Sequence, residues 1–176
     1  GLGGGSSDAA FTLKMLNEYF GLGIDSGKLK LLAAKLGSDC PFFIDKLVSL
    51  ASGRGESLMP ISLSLKDYFL FIVKPDIHVN TTEAYANLNI KEHKQELLDI
   101  IRQPISTWKE SLYNDFESYV FNKHPEAANL KSLLYEQGAI YASLTGSGSA
   151  IYGIFTEDPS IEQELVPHFT WKEQLK

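Results

Sequence analysis

The order of the predicted elements after residue 66 constrains the fold more than any other feature of the sequence. It begins with the compact apolar run Tyr68 to Val73, which is typical of a buried strand and is ended by Lys74 and Pro75. A helical region, a further helix, two strands around a tight glycine turn, a short helix and a last strand follow. Their predicted ranges are 82–124, 125–137, 139–144, 150–155, 159–165 and 168–172. This order predicts a split βαβ, ferredoxin-like domain.

The N-terminal part of the chain has a different pattern, with two amphipathic helices before a β-hairpin. Apolar residues recur every three or four positions in the two helical stretches, and a glycine-containing turn separates the two strands. The predicted helices cover 9–20 and about 26–36, and the predicted strands cover 47–51 and 57–61. We therefore predict an α+β chain with two domains, residues 1–64 and residues 65–176.

Composition narrows the possible functional classes. The chain has 176 residues, of which 44% are hydrophobic and 22% charged, as expected for a globular protein. No stretch reaches the roughly 18 uncharged apolar residues that a membrane span requires. The net charge of −6, without a basic stripe, argues against binding to nucleic acid. Cys40 is the only cysteine, so an intrachain disulfide is excluded and a reducing, cytoplasmic location is expected.

The strongest chemical signal is a glycine-rich run that leads directly into the first predicted helix. Its residues are Gly1, Leu2, Gly3, Gly4, Gly5, Ser6 and Ser7, followed by Asp8. Backbone N–H groups without side chains can surround an anion such as phosphate, and a helix N-terminus adds partial positive charge. The spacing fits neither a Walker loop nor a dinucleotide-binding fingerprint. The alternative is a flexible leader or a tight turn before a helix capped by the residues at 6–8.

Asp39 is the second candidate for a functional residue. It lies between Gly37, which ends the second predicted helix, and Pro41. A carboxylate at such a turn beside a phosphate site could act as general base on a substrate hydroxyl. Spacing alone favours the simpler interpretation, in which Asp39 accepts a hydrogen bond from the following turn.

A second glycine loop lies between two predicted strands and consists of Thr145, Gly146, Ser147, Gly148 and Ser149. Its glycines leave the backbone accessible to a ligand, but an ordinary hairpin turn explains the composition equally well. The histidines at 78, 93, 124 and 168 share no metal-ligand spacing, and no nucleophile signature is present.

Four motifs in this order resemble the GHMP kinase superfamily. They are the segments 1–10, 36–43, 53–56 and 144–150, with further support from Lys74-Pro75, Val79-Asn80-Thr81, Tyr85 and Asn114-Asp115-Phe116-Glu117. The resemblance runs from residue 1 to about residue 173. It implies part of an N-terminal ATP-binding domain with the ribosomal S5 domain 2-like fold, followed by a ferredoxin-like C-terminal domain.

The resemblance also implies roles for individual residues. Asp39 matches the catalytic aspartate that deprotonates the acceptor hydroxyl, which reverses the preference for a turn-capping role. The residues implied to bind the ATP phosphates are Gly1, Leu2, Gly3, Gly4, Gly5, Ser6 and Ser7, with Ser7 also placed near Mg²⁺. Residues implied to contact the substrate or to shape the active site are Thr81, Thr145, Gly146, Ser147 and Gly148.

Within the superfamily, the motifs are most similar to those of enzymes that act in the non-mevalonate pathway of isoprenoid precursors. The implied reaction is ATP-dependent phosphorylation of the 2-hydroxyl of 4-diphosphocytidyl-2-C-methyl-D-erythritol. Family members carry a first motif, with a lysine that works with the aspartate, before the glycine run. We therefore expect a chain that starts at Gly1 to have an exposed apolar surface in residues 1–62 and little or no activity. The alternatives are another GHMP small-molecule kinase and a non-catalytic ferredoxin-like binding module.

Overall fold

Packing divides the chain into two units. The computed structural model describes residues 2–88, 90, 96–160, 165 and 167–176. The N-terminal unit is Gly3–Leu63, and the C-terminal unit is Ser64–Lys176 together with Leu2. Over the described residues, no helix combines the length and the apolar character needed to cross a bilayer.

Three helices and a hairpin form the N-terminal unit. The helices are α1 (Gly4–Tyr19), α2 (Ser26–Leu36) and α3 (Phe42–Asp45), and the antiparallel strands are β1 (Ser49–Ser52) and β2 (Ser57–Pro60). A small core joins the helices and consists of Ala10, Leu29, Ala33, Cys40 and Ile44. Many apolar side chains of α1 and α2 stay exposed, including Phe11, Met15, Tyr19, Leu31 and Leu36. An apolar surface in this unit was expected from the sequence.

Helix α1 begins earlier than the sequence pattern predicts. We expected a cap within residues 6–8 and a helix from Ala9, but the first helical residue is Gly4. Gly3 has a φ of 67°, in the left-handed region that glycine adopts without strain, and it turns the chain into the helix. Ser6 and Ser7 therefore lie inside the first turn, because a glycine takes the capping position that we assigned to polar side chains.

In the C-terminal unit, the described residues form one antiparallel sheet of four strands. They are β3 (Phe69–Lys74), β4 (Tyr141–Leu144), β5 (Ile151–Phe155) and β6 (Phe169–Gln174), arranged in the order β4-β5-β3-β6. Strand β3 lies between β5 and β6, and it is antiparallel to both. This arrangement separates β3 from β4 by one intervening strand, which is the split βαβ pattern. The predicted ferredoxin-like α+β fold is confirmed.

The described residues between β3 and β4 contain five helices. They are α4 (Thr81–Ala86), α5 (Leu97–Ile101), α6 (Ile105–Ser111), α7 (Glu117–Lys123) and α8 (Pro125–Glu136). Prolines start two of them: Pro104 is the N-cap of α6, and Pro125 is the first residue of α8. The short helix predicted at 159–165 lies largely outside the described residues, as does His93.

The core of the C-terminal unit lies between the sheet and helices α7 and α8. Its buried members come from both layers and include Val73, Val120, Leu130, Leu134, Leu144, Ile151 and Phe155. The alternation of buried and partly buried residues along β3 shows that one face of the strand packs in this core. The two central strands and α8 therefore share one packed core, and the loops at the sheet ends extend from it.

Candidate active site

The glycine-rich run forms the first turn of α1. The Ser7 N–H donates to the Gly3 carbonyl at 2.9 Å, the first hydrogen bond of the helix. The N–H groups of Gly4, Gly5 and Ser6 precede it, so the helix itself offers them no acceptor four residues back. Gly3 has no side chain with which to cap them. Three backbone donors therefore point out of the N-terminus of a 16-residue helix.

The Cβ positions beside these donors are open. A Cβ atom built on Gly4 or on Gly5 would meet no heavy atom within 4 Å. Ser6 and Ser7 are partly buried, and Leu2 is exposed. Gly1, which we predicted to contact phosphate, lies outside the described residues. Together with the helix dipole, the open donors make this end of α1 suited to an anion.

Asp39 lies in the turn between α2 and α3, with its side chain exposed. The Ser38 hydroxyl donates to Oδ1 of Asp39 at 3.3 Å. Pro41, not Asp39, is the N-cap of α3, and α3 has no side-chain cap. The carboxylate therefore does not cap helix α3.

A cavity of about 250 Å³ joins Asp39 to the beginning of the glycine run. It lies within the N-terminal unit, and its lining residues are Gly3, Asp39, Phe42, Phe43, Ser49, Ala51, Gly55 and Leu58. The structure thus brings together two of the predicted site residues, Gly3 and Asp39. The lining also contains apolar side chains that sequence reasoning assigned no role; the only signal for Phe42 and Phe43 was their place beside Asp39 in a family-like motif.

Two glycines are required where the cavity wall approaches other groups. Gly55 has a φ of 104°, and a Cβ built on it would lie 3.3 Å from Oδ1 of Asp39. A Cβ on Gly3 would lie 3.3 Å from the Phe43 ring. A side chain at either position would be strained by its backbone conformation and would crowd the cavity.

The second glycine loop is a tight turn at the end of β4 in the C-terminal unit. The Thr145 N–H donates to the Ala150 carbonyl at 2.9 Å, and the Gly148 N–H donates to the Thr145 carbonyl at 3.0 Å. Gly146 is exposed and has a φ of 49°, so a glycine favours this turn. Ser147 and Gly148 are partly buried.

Two side chains that the sequence did not connect with this loop hold it in place. The Asn114 amide donates to the carbonyls of Leu144 at 3.0 Å and of Gly146 at 2.7 Å. Oε1 of Glu117 accepts from the Leu144 N–H at 3.0 Å. Both residues belong to the segment Asn114-Asp115-Phe116-Glu117, which the sequence marked only as family-like. About 30 residues separate them from the loop, so no local pattern links the two.

Thr81 is the first residue of α4, and its side chain is exposed. Asn80 caps this helix by accepting a hydrogen bond from the Glu83 N–H at 3.1 Å. Helix α4 is joined to α7 by an ion pair of 2.6 Å between Glu83 and Lys123. The hydrogen bond from Lys123 lowers the pKa of the Glu83 carboxyl, and the same bond raises the pKa of Lys123.

The described residues contain no group of three or more His, Cys, Asp or Glu side chains that could hold a metal ion by themselves. Mg²⁺ in nucleotide sites is held by substrate phosphates together with few protein groups, which are carboxylates and, in some sites, the hydroxyl of a serine or threonine. The hydroxyls of Ser6 and Ser7 in the first turn of α1 fit that pattern.

Two family descriptions match the chain in the order that the motifs predict. The N-terminal domain of GHMP kinases matches residues 1–46, and the C-terminal domain of GHMP kinases matches residues 96–165. The chain belongs to the GHMP kinase family. The first match contains the glycine-rich run and Asp39, and the second contains the loop at Thr145–Gly148.

Sequence relatives place the chain near one group of this family. It is 47% identical over 177 aligned positions to a protein of Parabacteroides distasonis named 4-diphosphocytidyl-2-C-methyl-D-erythritol kinase, covering 99% of this chain and 65% of the relative. It is 48% identical over 163 positions to a protein of the same name from Bacteroides thetaiotaomicron, covering 93% of this chain and 60% of the relative. The GHMP kinase chain therefore spans a little under two thirds of the length of these relatives.

Solved structures agree on the fold. A crystal structure of 4-(cytidine 5'-diphospho)-2C-methyl-D-erythritol kinase superimposes with a TM-score of 0.71 at 28% identity, covering 86% of this chain and 56% of that one. A homoserine kinase from Cytophaga hutchinsonii shares the fold at 15% identity, with a TM-score of 0.53 and coverage of 91% of this chain and 61% of that one.

Proposed function

We propose that this GHMP kinase chain is part of an enzyme that phosphorylates the 2-hydroxyl of 4-diphosphocytidyl-2-C-methyl-D-erythritol with ATP. The observation that carries the proposal is the cavity in which Asp39 and Gly3 meet, in a chain whose relatives bear that kinase name. The product would be the 2-phosphate, an intermediate of isoprenoid precursor synthesis. We assign residues 1–64 to the ATP-binding domain and residues 65–176 to the C-terminal domain.

The first turn of α1 would bind the phosphates of ATP. Its open N–H groups at Gly4, Gly5 and Ser6 are preorganised donors, so they stabilise negative charge without a reorganisation cost at the moment of transfer. The adjoining residues Gly1, Leu2 and Gly3 would complete the phosphate-binding segment. Because neither Gly4 nor Gly5 has a Cβ, phosphate oxygens can approach the backbone closely.

Asp39 would act as the general base. Its carboxylate takes the proton of the substrate 2-hydroxyl while that oxygen bonds to the γ-phosphorus of ATP, and the bond from phosphorus to the bridging oxygen of ADP breaks. Exposure of Asp39 leaves the carboxylate accessible to a substrate hydroxyl. Gly55 permits this approach because a side chain at that position would crowd Oδ1.

Ser7, with Ser6 beside it, would contribute a hydroxyl ligand to Mg²⁺ at the phosphates. When bound, Mg²⁺ supplies neutralisation of the charge that develops on the transferred phosphoryl group. The serines hold their hydroxyls at the helix start, where the same helix dipole favours the anion that the ion accompanies.

In the C-terminal unit, we assign substrate-contacting roles to Thr81 and to the loop Thr145, Gly146, Ser147 and Gly148. Thr81 presents an exposed hydroxyl at the start of α4. The loop exposes backbone at Gly146, and hydrogen bonds at both of its ends fix its shape. Such fixed polar groups suit recognition of a hydroxyl-rich acceptor.

We also propose a cytoplasmic location and a small-molecule substrate as the binding partner. The single cysteine, Cys40, is buried and unpaired, as is common in a reducing compartment. The net charge of −6 disfavours a nucleic-acid partner.

The test is the substitution Asp39→Asn in the gene product that contains this chain. We expect kcat to fall by about 10²- to 10⁴-fold, because general-base catalysis contributes about that much. Thermal stabilisation by ATP should persist, because the phosphate donors of α1 are unchanged.

Asp25→Asn is the matched control. Asp25 caps α2 in the same unit by accepting from the Lys28 N–H at 3.0 Å, and asparagine caps a helix about as well. Turnover should therefore be unchanged in this variant. Normal turnover by the Asp39→Asn protein would remove Asp39 from the mechanism. Phosphorylation of other small alcohols in preference to the cytidine-containing substrate would assign a different GHMP kinase activity.

A further inference from the structure

We propose that Asn114 is a positioning residue that holds the Thr145–Gly148 loop in its reactive conformation. The inference rests on the proposed function, in which that loop contacts the substrate. Asn114 belongs to the segment 114–117. It takes no direct part in the proposed phosphoryl transfer.

The Asn114 side chain makes three hydrogen bonds, two to this loop and one within its own turn. Nδ2 donates to the Leu144 carbonyl at 3.0 Å and to the Gly146 carbonyl at 2.7 Å, which uses both amide protons. Oδ1 accepts from the Phe116 N–H at 2.9 Å. The Asn114 amide therefore satisfies two carbonyls with its two N–H donors and one backbone N–H with its oxygen.

The bond to Gly146 reaches the tip of the loop. Two hydrogen bonds fix the ends of the turn, because the Thr145 N–H and hydroxyl both donate to the Ala150 carbonyl, at 2.9 and 3.2 Å. The Gly148 N–H donates to the Thr145 carbonyl at 3.0 Å and closes the turn across Gly146, but this bond does not involve the Gly146 carbonyl at the centre of the turn. Because Gly146 is exposed and glycine tolerates several backbone conformations, the peptide that carries this carbonyl can change orientation without breaking the closing bond. The Asn114 amide selects one orientation of that peptide.

Glu117 fixes the end of β4 that leads into the loop. Its Oε1 accepts from the Leu144 N–H at 3.0 Å and from the Ser143 hydroxyl at 3.2 Å. Lys131 on α8 holds the carboxylate in place through bonds of 2.9 and 2.7 Å. Asn114 thus bonds to the carbonyl of Leu144, and Glu117 bonds to the N–H of the same residue. Both side chains come from one short segment.

The same segment supports the helix that carries Thr81. The ring of Tyr85 on α4 packs edge-on against Phe116, with ring centroids 4.9 Å apart. An ion pair between Glu83 and Lys123 makes a second connection between α4 and α7. We assign substrate contacts to helix α4 and to the Thr145–Gly148 loop. Both are therefore held by the same part of the chain, the segment 114–117 and helix α7.

The experiment compares Asn114→Ala and Asn114→Asp with wild type in the gene product that contains this chain. Alanine removes all three hydrogen bonds, whereas aspartate keeps the acceptor for Phe116 and loses both amide donors. We expect kcat to fall about tenfold to a hundredfold in both variants, which is the cost of a misplaced contact surface. The dissociation constant for ATP should stay within about twofold, because the proposed phosphate donors lie on α1.

Asn17→Ala is the matched control for a merely structural role. Asn17 also braces a turn with its amide, donating to the Ile24 carbonyl at 3.0 Å and accepting from the Ile24 N–H at 2.9 Å. This variant should melt at a lower temperature and keep the wild-type kcat when assayed well below its melting point. Hydrogen exchange at the Gly148 amide should be faster in both Asn114 variants and unchanged in Asn17→Ala.

Three outcomes separate the inference from the proposed function. Loss of kcat in both Asn114 variants, with wild-type kcat in Asn17→Ala, supports the positioning role. Wild-type kcat in Asn114→Asp, or an equal loss of kcat in Asn17→Ala, overturns it and leaves the proposed function intact. A wild-type enzyme that fails to phosphorylate the cytidine-containing substrate overturns the proposed function itself.

Discussion

The chain contains two glycine-rich segments with similar composition and opposite hydrogen-bonding states. In the first turn of α1, the N–H groups of Gly4 and Gly5 have no acceptor within the helix. In the loop after β4, the main-chain groups of Thr145 and Gly148 already bond to one another or to Ala150. The first segment has backbone N–H groups that a ligand can accept from. In the second segment, backbone hydrogen bonds within the turn define its conformation.

The side chains around the two segments differ in the same way. Gly3 contributes no capping side chain to the start of α1, and the neighbouring Cβ positions are open. The second loop is held by Asn114 and Glu117 from a distant part of the chain. Glycine therefore serves two purposes here: it exposes donors in one segment, and it permits a left-handed turn in the other.

The largest expected effect comes from placing a charge at the open segment. Gly5→Asp should weaken ATP binding about a hundredfold, because unit charges about 6 Å apart repel by about 3 kcal/mol at an effective dielectric constant of 20. The same carboxylate should raise the melting temperature of the nucleotide-free protein slightly, since acidic residues in a first helical turn are stabilising. Isothermal titration and thermal melting measure the two effects.

Gly5→Asn is the control for the added volume. A side chain of this size fits, because a Cβ on Gly5 meets no atom within 4 Å. We expect the asparagine variant to bind ATP much more tightly than the aspartate variant. Equal affinities in the two variants would show that the first turn of α1 does not face phosphate.

A smaller effect, on stability, is expected at the loop after β4 that Asn114 and Glu117 hold. Glu117→Gln keeps the size of the side chain but removes the charge that Lys131 neutralises, in a pair whose side chains are 12% and 21% exposed. Hydrogen bonds to charged groups contribute about 1.5–3 kcal/mol each, so we expect a loss of about 2 kcal/mol in the free energy of unfolding. Chemical denaturation measures the loss.

Glu83→Gln provides the comparison for Glu117→Gln, since Glu83 also pairs with a lysine but lies on the surface. The substitution there should change the free energy of unfolding little, because exposed ion pairs are weak. If both variants lost equal stability, the contacts of Glu117 with β4 would add nothing beyond a surface pair.

The sheet of the C-terminal unit was predictable because its signals are local. The apolar run at 68–73 and the two strands flanking Gly146 stand out by composition, and the order of the elements leaves few topologies. The start of α1 was not predictable in the same way. Glycine has a low helix propensity, so the pattern gave no reason to place Gly4 and Gly5 inside the helix.

Some residues of the candidate site could be predicted from the sequence, but the side chains that hold its second loop could not. Asp39 and the glycine run stood out, and the structure places Asp39 and Gly3 at one cavity. Their catalytic and phosphate-binding roles stay predictions. The contribution of Asn114 was invisible because its partners lie 30 and 32 residues away, and no local periodicity encodes such a contact.

The smallest expected effect compares alanine at the two glycine segments directly. Gly5→Ala should stabilise the nucleotide-free protein by about 0.5–1 kcal/mol, because glycine in a helix costs about that much relative to alanine. Gly146→Ala should destabilise it by about 1–2 kcal/mol, because a φ of 49° places alanine in the left-handed region. Neither change creates a clash, since a Cβ at either position meets no heavy atom within 4 Å, so backbone conformation alone sets the sign. Denaturant unfolding of both variants without nucleotide measures the difference. If both substitutions changed the free energy of unfolding in the same direction, Gly5 and Gly146 would have similar backbone conformations. The contrast between an open helix start and a left-handed turn would then be wrong.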